Sequence, residues 1–155
     1  MRCYIFDLDG TLALCGHRQH LVQGKSKDWD EFFRRCVDDE PNLPVVSLYH
    51  MLRAGAVWGR DASRRLVERR DFFIFSGRSD AVRPATEQWL ADAGIEYDLL
   101  LMRRDGDFTP DEELKRMWMQ PYRDQIEMVF DDRDKVVAMW REECIPCCQV
   151  ARGDF

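Results

Sequence analysis

Four acidic residues stand where a short apolar run gives way to polar sequence: Asp7 and Asp9 after "CYIF", and Asp131 and Asp132 after "IEMVF". A third run, "DFFIF", leads to Ser76. If these runs are parallel strands, the side chains emerge at one edge of a sheet, and residues from opposite ends of the chain share a pocket. Carboxylates gathered in this way repel one another. They stay ionised together only beside a cation, and hard oxygen donors with room for water suit Mg²⁺. Lys115, on a helix ahead of the strand that ends at Asp131, adds a second, fixed positive charge.

The segment "FDLDGTL" has what phosphoryl transfer requires. Asp7, at the strand end, can attack phosphorus to give an aspartyl-phosphate. Asp9, two residues on and past the strand, can protonate the leaving oxygen and later deprotonate water. Gly10 permits the sharp turn this needs. Ser76 and Lys115 would hold the equatorial phosphoryl oxygens, with Mg²⁺ bridging Asp7, Asp131 and the phosphate.

The elements that must position these residues follow from the pattern of apolar residues. "CYIF", "DFFIF", "YDLLLM" (97–102), "IEMVF" and "CCQVA" (147–151) read as strands buried on both faces. Helical periodicity covers 44–54, 80–93, 111–120 and 133–142, with Pro84 and Pro110 at tolerated helix entries. The alternation predicts an α/β fold: a three-layer, Rossmann-like sandwich around a mostly parallel five-stranded sheet. The stretch between Thr11 and Asp71 is longer than one crossover needs. Its surplus, about 15–43 with an extra helix near 61–69, is expected to form a small cap over the carboxyl ends of the strands, where open parallel sheets bind ligands.

Composition fits one domain, 1–155. A chain of 155 residues buries roughly 70% of its unfolded surface without help from disulfides. Hydrophobic residues at 45% and charged ones at 34% exclude disorder. A net charge of −6, from 23 Lys+Arg against 29 Asp+Glu, excludes a protein that coats nucleic acid over a long stretch, and leaves room for a local site. No signal peptide or membrane span is expected, so the protein is placed in the cytoplasm with its six cysteines reduced. "CIPCC" holds one Cys-x-x-Cys without a second pair, and buried thiols beside the last strand are expected there rather than zinc. The tryptophans could include a base-stacking platform, but Trp89 and Trp118, at helical spacing, read as core.

"FDLDGTLA", "FSGR", Lys115 and "FDDRDKVVAMWR", in that order, resemble the four motifs of the haloacid dehalogenase superfamily. The ending "MWREECIPCCQVARGDF" is similar to that of the 3'-phosphatase domain of bacteriophage polynucleotide kinase. The resemblance implies a nucleophile at Asp7, an acid/base at Asp9, phosphate contacts from Ser76 and Lys115, and Mg²⁺ held by Asp7, the Asp9 carbonyl and Asp131, with Asp132 water-linked. It further implies substrate contacts from Thr11, Arg18, Arg78 and Arg103 or Arg104. Arg133 is expected to pair with a carboxylate instead.

The expected activity is therefore an Mg²⁺-dependent phosphomonoesterase acting on 3'-phosphorylated nucleic-acid ends or nucleotides. Contact with one terminus and few phosphates implies a shallow salt dependence. "QGKS" (23–26) lacks the strand and first glycine of a phosphate-binding loop, so no kinase activity is expected, and no obligate protein partner is evident. The alternatives are a nucleotidase or other small-molecule phosphatase, a phospho-accepting receiver domain, and a non-catalytic Mg²⁺ or nucleotide-binding module. A receiver would place its acceptor mid-chain, with the hydroxyl and lysine after it.

Overall fold

The computed structural model describes residues 2–57 and 69–153. Five strands form one sheet in the order β5-β4-β1-β6-β7: β1 (Arg2–Phe6), β4 (Arg70–Ser79), β5 (Leu99–Arg103), β6 (Ile126–Arg133) and β7 (Cys147–Gly153). Every pairing is parallel. Helices α2 (Leu43–Val57) and α3 (Arg83–Asp92) cover one face, and α4 (Asp111–Met119) and α5 (Asp134–Glu142) cover the other.

Period-two alternation in β4 shows why both faces need cover. Phe72 and Ile74 enter a core with Phe6, Tyr49, Trp89 and Leu90, whereas Phe73 and Phe75 enter the opposite core with Val129, Met119 and Trp140. The result is the expected three-layer α/β arrangement.

The edges of the sheet differ from expectation. β7 is not buried on both faces: it lies at the sheet edge and is largely half-buried or exposed. Cys144 and Cys148 are accordingly exposed rather than buried, and all six cysteines are unpaired. β4 runs on through Ser79, so Ser76 is neither a strand end nor a helix cap. Ser79 takes the cap role, its hydroxyl accepting from Ala81 N at 3.2 Å ahead of the 3-10 turn Asp80–Val82. The helix expected at 80–93 is therefore split, with α3 starting at Arg83.

The 15–43 stretch contains a 3-10 helix (Gly16–Leu21), α1 (Trp29–Arg34) and a second 3-10 turn (Arg35–Asp38). A short antiparallel pair, β2 (Ala13–Leu14) with β3 (Glu40–Pro41), closes its base. Cys15, Val22 and Phe32 give it a small apolar cluster of its own. The extra helix expected near 61–69 lies outside the described residues.

Candidate active site

The register brings the first and last motifs together. Phe6 pairs with Ile74 on one side and Phe130 on the other, so Asp7 and Asp131 leave adjacent strands at the same edge, next to Ser76. Both flanking strands lose regular register there, between Ser76 and Ser79 in β4 and between Asp131 and Arg133 in β6. Such irregularities re-aim side chains that would otherwise alternate across the sheet.

The turn after β1 is held from below. Leu8 and Leu12 are fully buried, and the Leu8 carbonyl accepts from Leu12 N at 3.0 Å and Ala13 N at 2.8 Å. With these anchors in the core, Asp7 and Asp9 face the cavity. Gly10 has φ +91°, and a Cβ there would stand 2.1 Å from Asp132 Oδ2. Only glycine lets this turn approach the last motif so closely.

Lys115, fully buried on α4, donates to Asp7 Oδ1 at 2.5 Å and to Asp131 Oδ2 at 2.8 Å. Asp7, Asp131 and Asp132 each offer an oxygen within 4.8 Å of the other two. Asp7 Oδ2 and Asp132 Oδ1 are buried without a hydrogen-bond partner. Burial first, then the neighbouring Asp131 and Asp132, push the Asp7 carboxyl well up despite Lys115. Burial and Asp131 push Asp132 up to about 7. Buried, orphaned and mutually repelling carboxylate oxygens are what a divalent cation would satisfy, and the all-oxygen donor set fits Mg²⁺. Thr11 is also fully buried, with its hydroxyl unpartnered.

Asp9 has different surroundings. Its Oδ1 accepts from Arg18 Nη2 at 2.6 Å and from Arg78 Nε at 2.8 Å. Burial would raise its carboxyl, but Arg78 and Arg18 outweigh that and hold it below the usual carboxylate value. Both guanidinium groups also bind Asp39: Arg18 Nε at 2.7 Å, and Arg78 Nη2 at 2.6 Å. Arg18 Nη1 donates to the Phe32 carbonyl at 3.0 Å, and the guanidinium lies 4.1 Å over the Phe32 ring. Residues from the 15–43 stretch thus complete a network that starts on β1 and β4.

A second network orders the opposite wall. Arg103 Nε donates to the Gly77 carbonyl at 3.0 Å and Nη2 to Asp111 Oδ1 at 3.1 Å, while Arg133 pairs with Asp111 Oδ2 at 3.1 Å. Burial opposes ionisation of Asp111, yet Lys115, Arg133 and Arg103 keep its carboxyl low. A Cβ on Gly77 would sit 2.6 Å from Asp111 Oδ1, so this second glycine is also fixed by close approach.

Of the residues singled out from sequence, Asp7, Asp9, Thr11, Arg18, Ser76, Arg78, Lys115, Asp131 and Asp132 come together at this edge. Ser76 is fully buried, and its hydroxyl accepts from Arg78 N at 3.2 Å. Arg103 and Arg104 part company: Arg103 is half-buried in the Asp111 network, whereas Arg104 is exposed on the cavity rim. Arg133 pairs with a carboxylate as expected.

Asp39 and Asp111 were missed. Asp39 lies in the acidic run "DDE", which reads as a solvated face, and Asp111 follows Pro110 in the first turn of a helix, where an acid reads as a cap. The signal for Asp111 was its i,i+4 spacing to Lys115. Nothing in the sequence distinguishes Asp39 from Asp38.

In total, six carboxylates (Asp7, Asp9, Asp39, Asp111, Asp131, Asp132) meet five cations (Arg18, Arg78, Arg103, Lys115, Arg133). One divalent ion would turn this near-balance positive, as a phosphate dianion requires.

Comparison with known proteins agrees with this geometry. Over residues 1–155 the chain matches the family model of the polynucleotide kinase PNKP phosphatase domain. It is 29% identical over 151 residues to a putative bifunctional polynucleotide kinase/RNA ligase of Autographa californica nuclear polyhedrosis virus, covering 94% of this chain and 18% of that protein. Among solved structures it superposes on a chain of the Pnkp1/Rnl/Hen1 complex with TM-score 0.74 and 33% identity, covering 99% of this chain and 47% of the other. A haloacid dehalogenase-like hydrolase of Streptococcus pneumoniae shares the fold with TM-score 0.60 at 10% identity, over 96% of this chain and 84% of that one. The chain thus spans less than half of the longer proteins it matches, and one of these was solved within an assembly, which gives no support to the expectation that no protein partner is needed. The motif array, the site it builds and the full-length match identify this chain as a member of the polynucleotide kinase phosphatase-domain family, a phosphatase of the haloacid dehalogenase superfamily.

Proposed function

We propose that this chain removes the 3'-phosphate from nucleic-acid ends or nucleotides, in an Mg²⁺-dependent reaction that passes through an aspartyl-phosphate on Asp7. The observation that carries the reading is the pairing of two unlike carboxylates on one turn: Asp7, bound to Lys115 with one oxygen orphaned, and Asp9, clamped by Arg18 and Arg78.

Asp7 attacks phosphorus while Ser76 and Lys115 hold the non-bridging oxygens, and the bond to the ester oxygen breaks. That oxygen takes a proton from Asp9. Asp9, now a carboxylate, takes a proton from water, whose oxygen attacks the aspartyl-phosphate and frees Asp7 and inorganic phosphate. Before substrate enters, Arg18 and Arg78 favour the carboxylate form of Asp9, which suits the second step. In the first step the same arginines have a phosphate to bind, and Asp9, released by them, takes up a proton from solvent and passes it to the leaving oxygen. Asp7, Asp131 and the Asp9 carbonyl would hold Mg²⁺, with Asp132 reaching it through water. The ion would supply neutralisation of the charge between nucleophile and phosphate. The 15–43 stretch serves as a small cap on a single domain that works in the cytoplasm.

Asp7→Asn and Asp9→Asn should each lower phosphate release from a 3'-phosphorylated oligonucleotide by at least about 10³-fold, the upper part of the range for one catalytic group. Retained turnover in both variants would refute the mechanism.

A further inference from the structure

The cavity over Asp7 and Asp9 has a volume of about 540 Å³. That lies within the range that takes up a whole drug-sized molecule, and a phosphoryl group fills only a corner of it. The catalytic end is lined by charge. Elsewhere acidic residues, Asp30 and Asp107 among them, stand beside Trp29 and Phe33 from α1 and Phe108 from the loop after β5.

Trp29 is fixed in place. It opens α1, whose N-cap Asp28 accepts from Glu31 N at 3.0 Å. Its ring lies 5.9 Å from Phe33 at an interplanar angle of 28° and meets Phe32 edge-on at 5.7 Å. Even so, 38% of Trp29 and 89% of Phe108 remain exposed. The other described tryptophans, Trp89, Trp118 and Trp140, pack into the two cores. A single exposed aromatic needs no explanation. Two of them, carried by separate elements and lining the cavity that contains the reactive carboxylates, do need one. The sugar and phosphate of a nucleotide are polar, and its base is the part with an apolar face.

We infer that Trp29 and Phe108 form a stacking subsite for the base of the nucleotide that bears the phosphate, so that the preferred substrate ends in an unpaired nucleotide. The inference rests on the phosphatase reading and adds its substrate class. Stacking on a π-face tolerates any base, so the subsite selects for the presence of a base and not for sequence. Arg104 and Lys135, exposed cations of the same lining, are placed to meet the preceding phosphodiester.

The test is fluorescence anisotropy of a labelled tetranucleotide 3'-phosphate, with and without its terminal base, in Mg²⁺. The full chain is used as Asp7→Asn so that no turnover intervenes, and phosphate release by the unmutated chain is followed in parallel. The base-bearing ligand should bind about tenfold more tightly than the abasic one. Phe108→Ala and Trp29→Ala should each bring that ratio towards one, and a blunt duplex end should bind less well than an overhang. Trp29→Ala removes packing from α1, so Phe108→Ala, which touches almost nothing, decides the matter alone. Equal binding of both ligands, or an unchanged ratio in Phe108→Ala, overturns the inference. A preserved ratio without phosphate release would instead overturn the phosphatase reading and leave the subsite standing.

Discussion

Asp39 takes no part in the proposed chemistry, yet it sets the position of two side chains that do. Its carboxylate accepts from Arg18 and Arg78 while both also bind Asp9, so two buried cations are balanced by the buried Asp39 and the half-buried Asp9. Removing one partner from such a group leaves an uncompensated charge where water cannot reach it. Asp39→Ala is expected to cost about 3–5 kcal/mol of stability, the usual penalty for breaking a buried pair, and to lower turnover because Arg18 and Arg78 lose their common anchor. Urea denaturation checks the first part. A loss below about 1 kcal/mol, within the range of an exposed pair, would mean that Asp9 alone holds both arginines. Trp89 adds a second tie, its indole N–H donating to the Asp39 carbonyl at 2.7 Å. A tryptophan read from sequence as core therefore also supports the site.

At the scale of elements, legibility followed the length and strength of the pattern. The buried strands β1, β4 and β6 were readable because runs such as "DFFIF" have no polar residue to place elsewhere. β7 was misread because an apolar run looks the same in the middle of a sheet and at its edge. The strand motif residues could be placed from sequence because each follows an apolar run directly: Asp7 comes just after β1, and Ser76, Asp131 and Asp132 follow the apolar parts of β4 and β6. The Asp39 contacts could not, because they depend on how the 15–43 stretch folds back, and its short 3-10 turns carry no periodicity. Within that stretch Phe32 holds the small cluster with Cys15 and Val22 and lies under Arg18. Phe32→Ala should cost about 3 kcal/mol, and the loss should be local. Hydrogen exchange should accelerate across 15–43 while β1, β4 and β6 keep their protection. Uniform acceleration over the sheet would show that the stretch and the core unfold as one unit.

For the whole molecule, acidity becomes an argument about metal. Without a divalent ion, burial raises the Asp7 carboxyl well above 3.8 and brings Asp132 to about 7, so between those values the folded chain holds more protons than the unfolded one. Stability of the metal-free protein should therefore rise as pH falls from about 8 towards 5. Below that window the sign reverses. Asp9 and Asp111, held low by their cations, lose their pairing as they protonate. Mg²⁺ competes with the protons on Asp7 and Asp132, so its addition should flatten the upper slope and raise Tm at pH 8, by about 2–4 °C per kcal/mol of binding energy. An Mg²⁺-independent Tm across this range would argue against the cation site. The net charge of −6 is then compatible with a phosphate substrate, because the site itself sets six carboxylates against five cations, a balance that one divalent ion would turn positive. The central claim is tested most directly by inorganic phosphate release in Mg²⁺ from matched oligonucleotides that differ only in carrying a 3'- or a 5'-phosphate. The account predicts faster release from the 3' end, lost in Asp7→Asn, and faster release from the 5' end would contradict it.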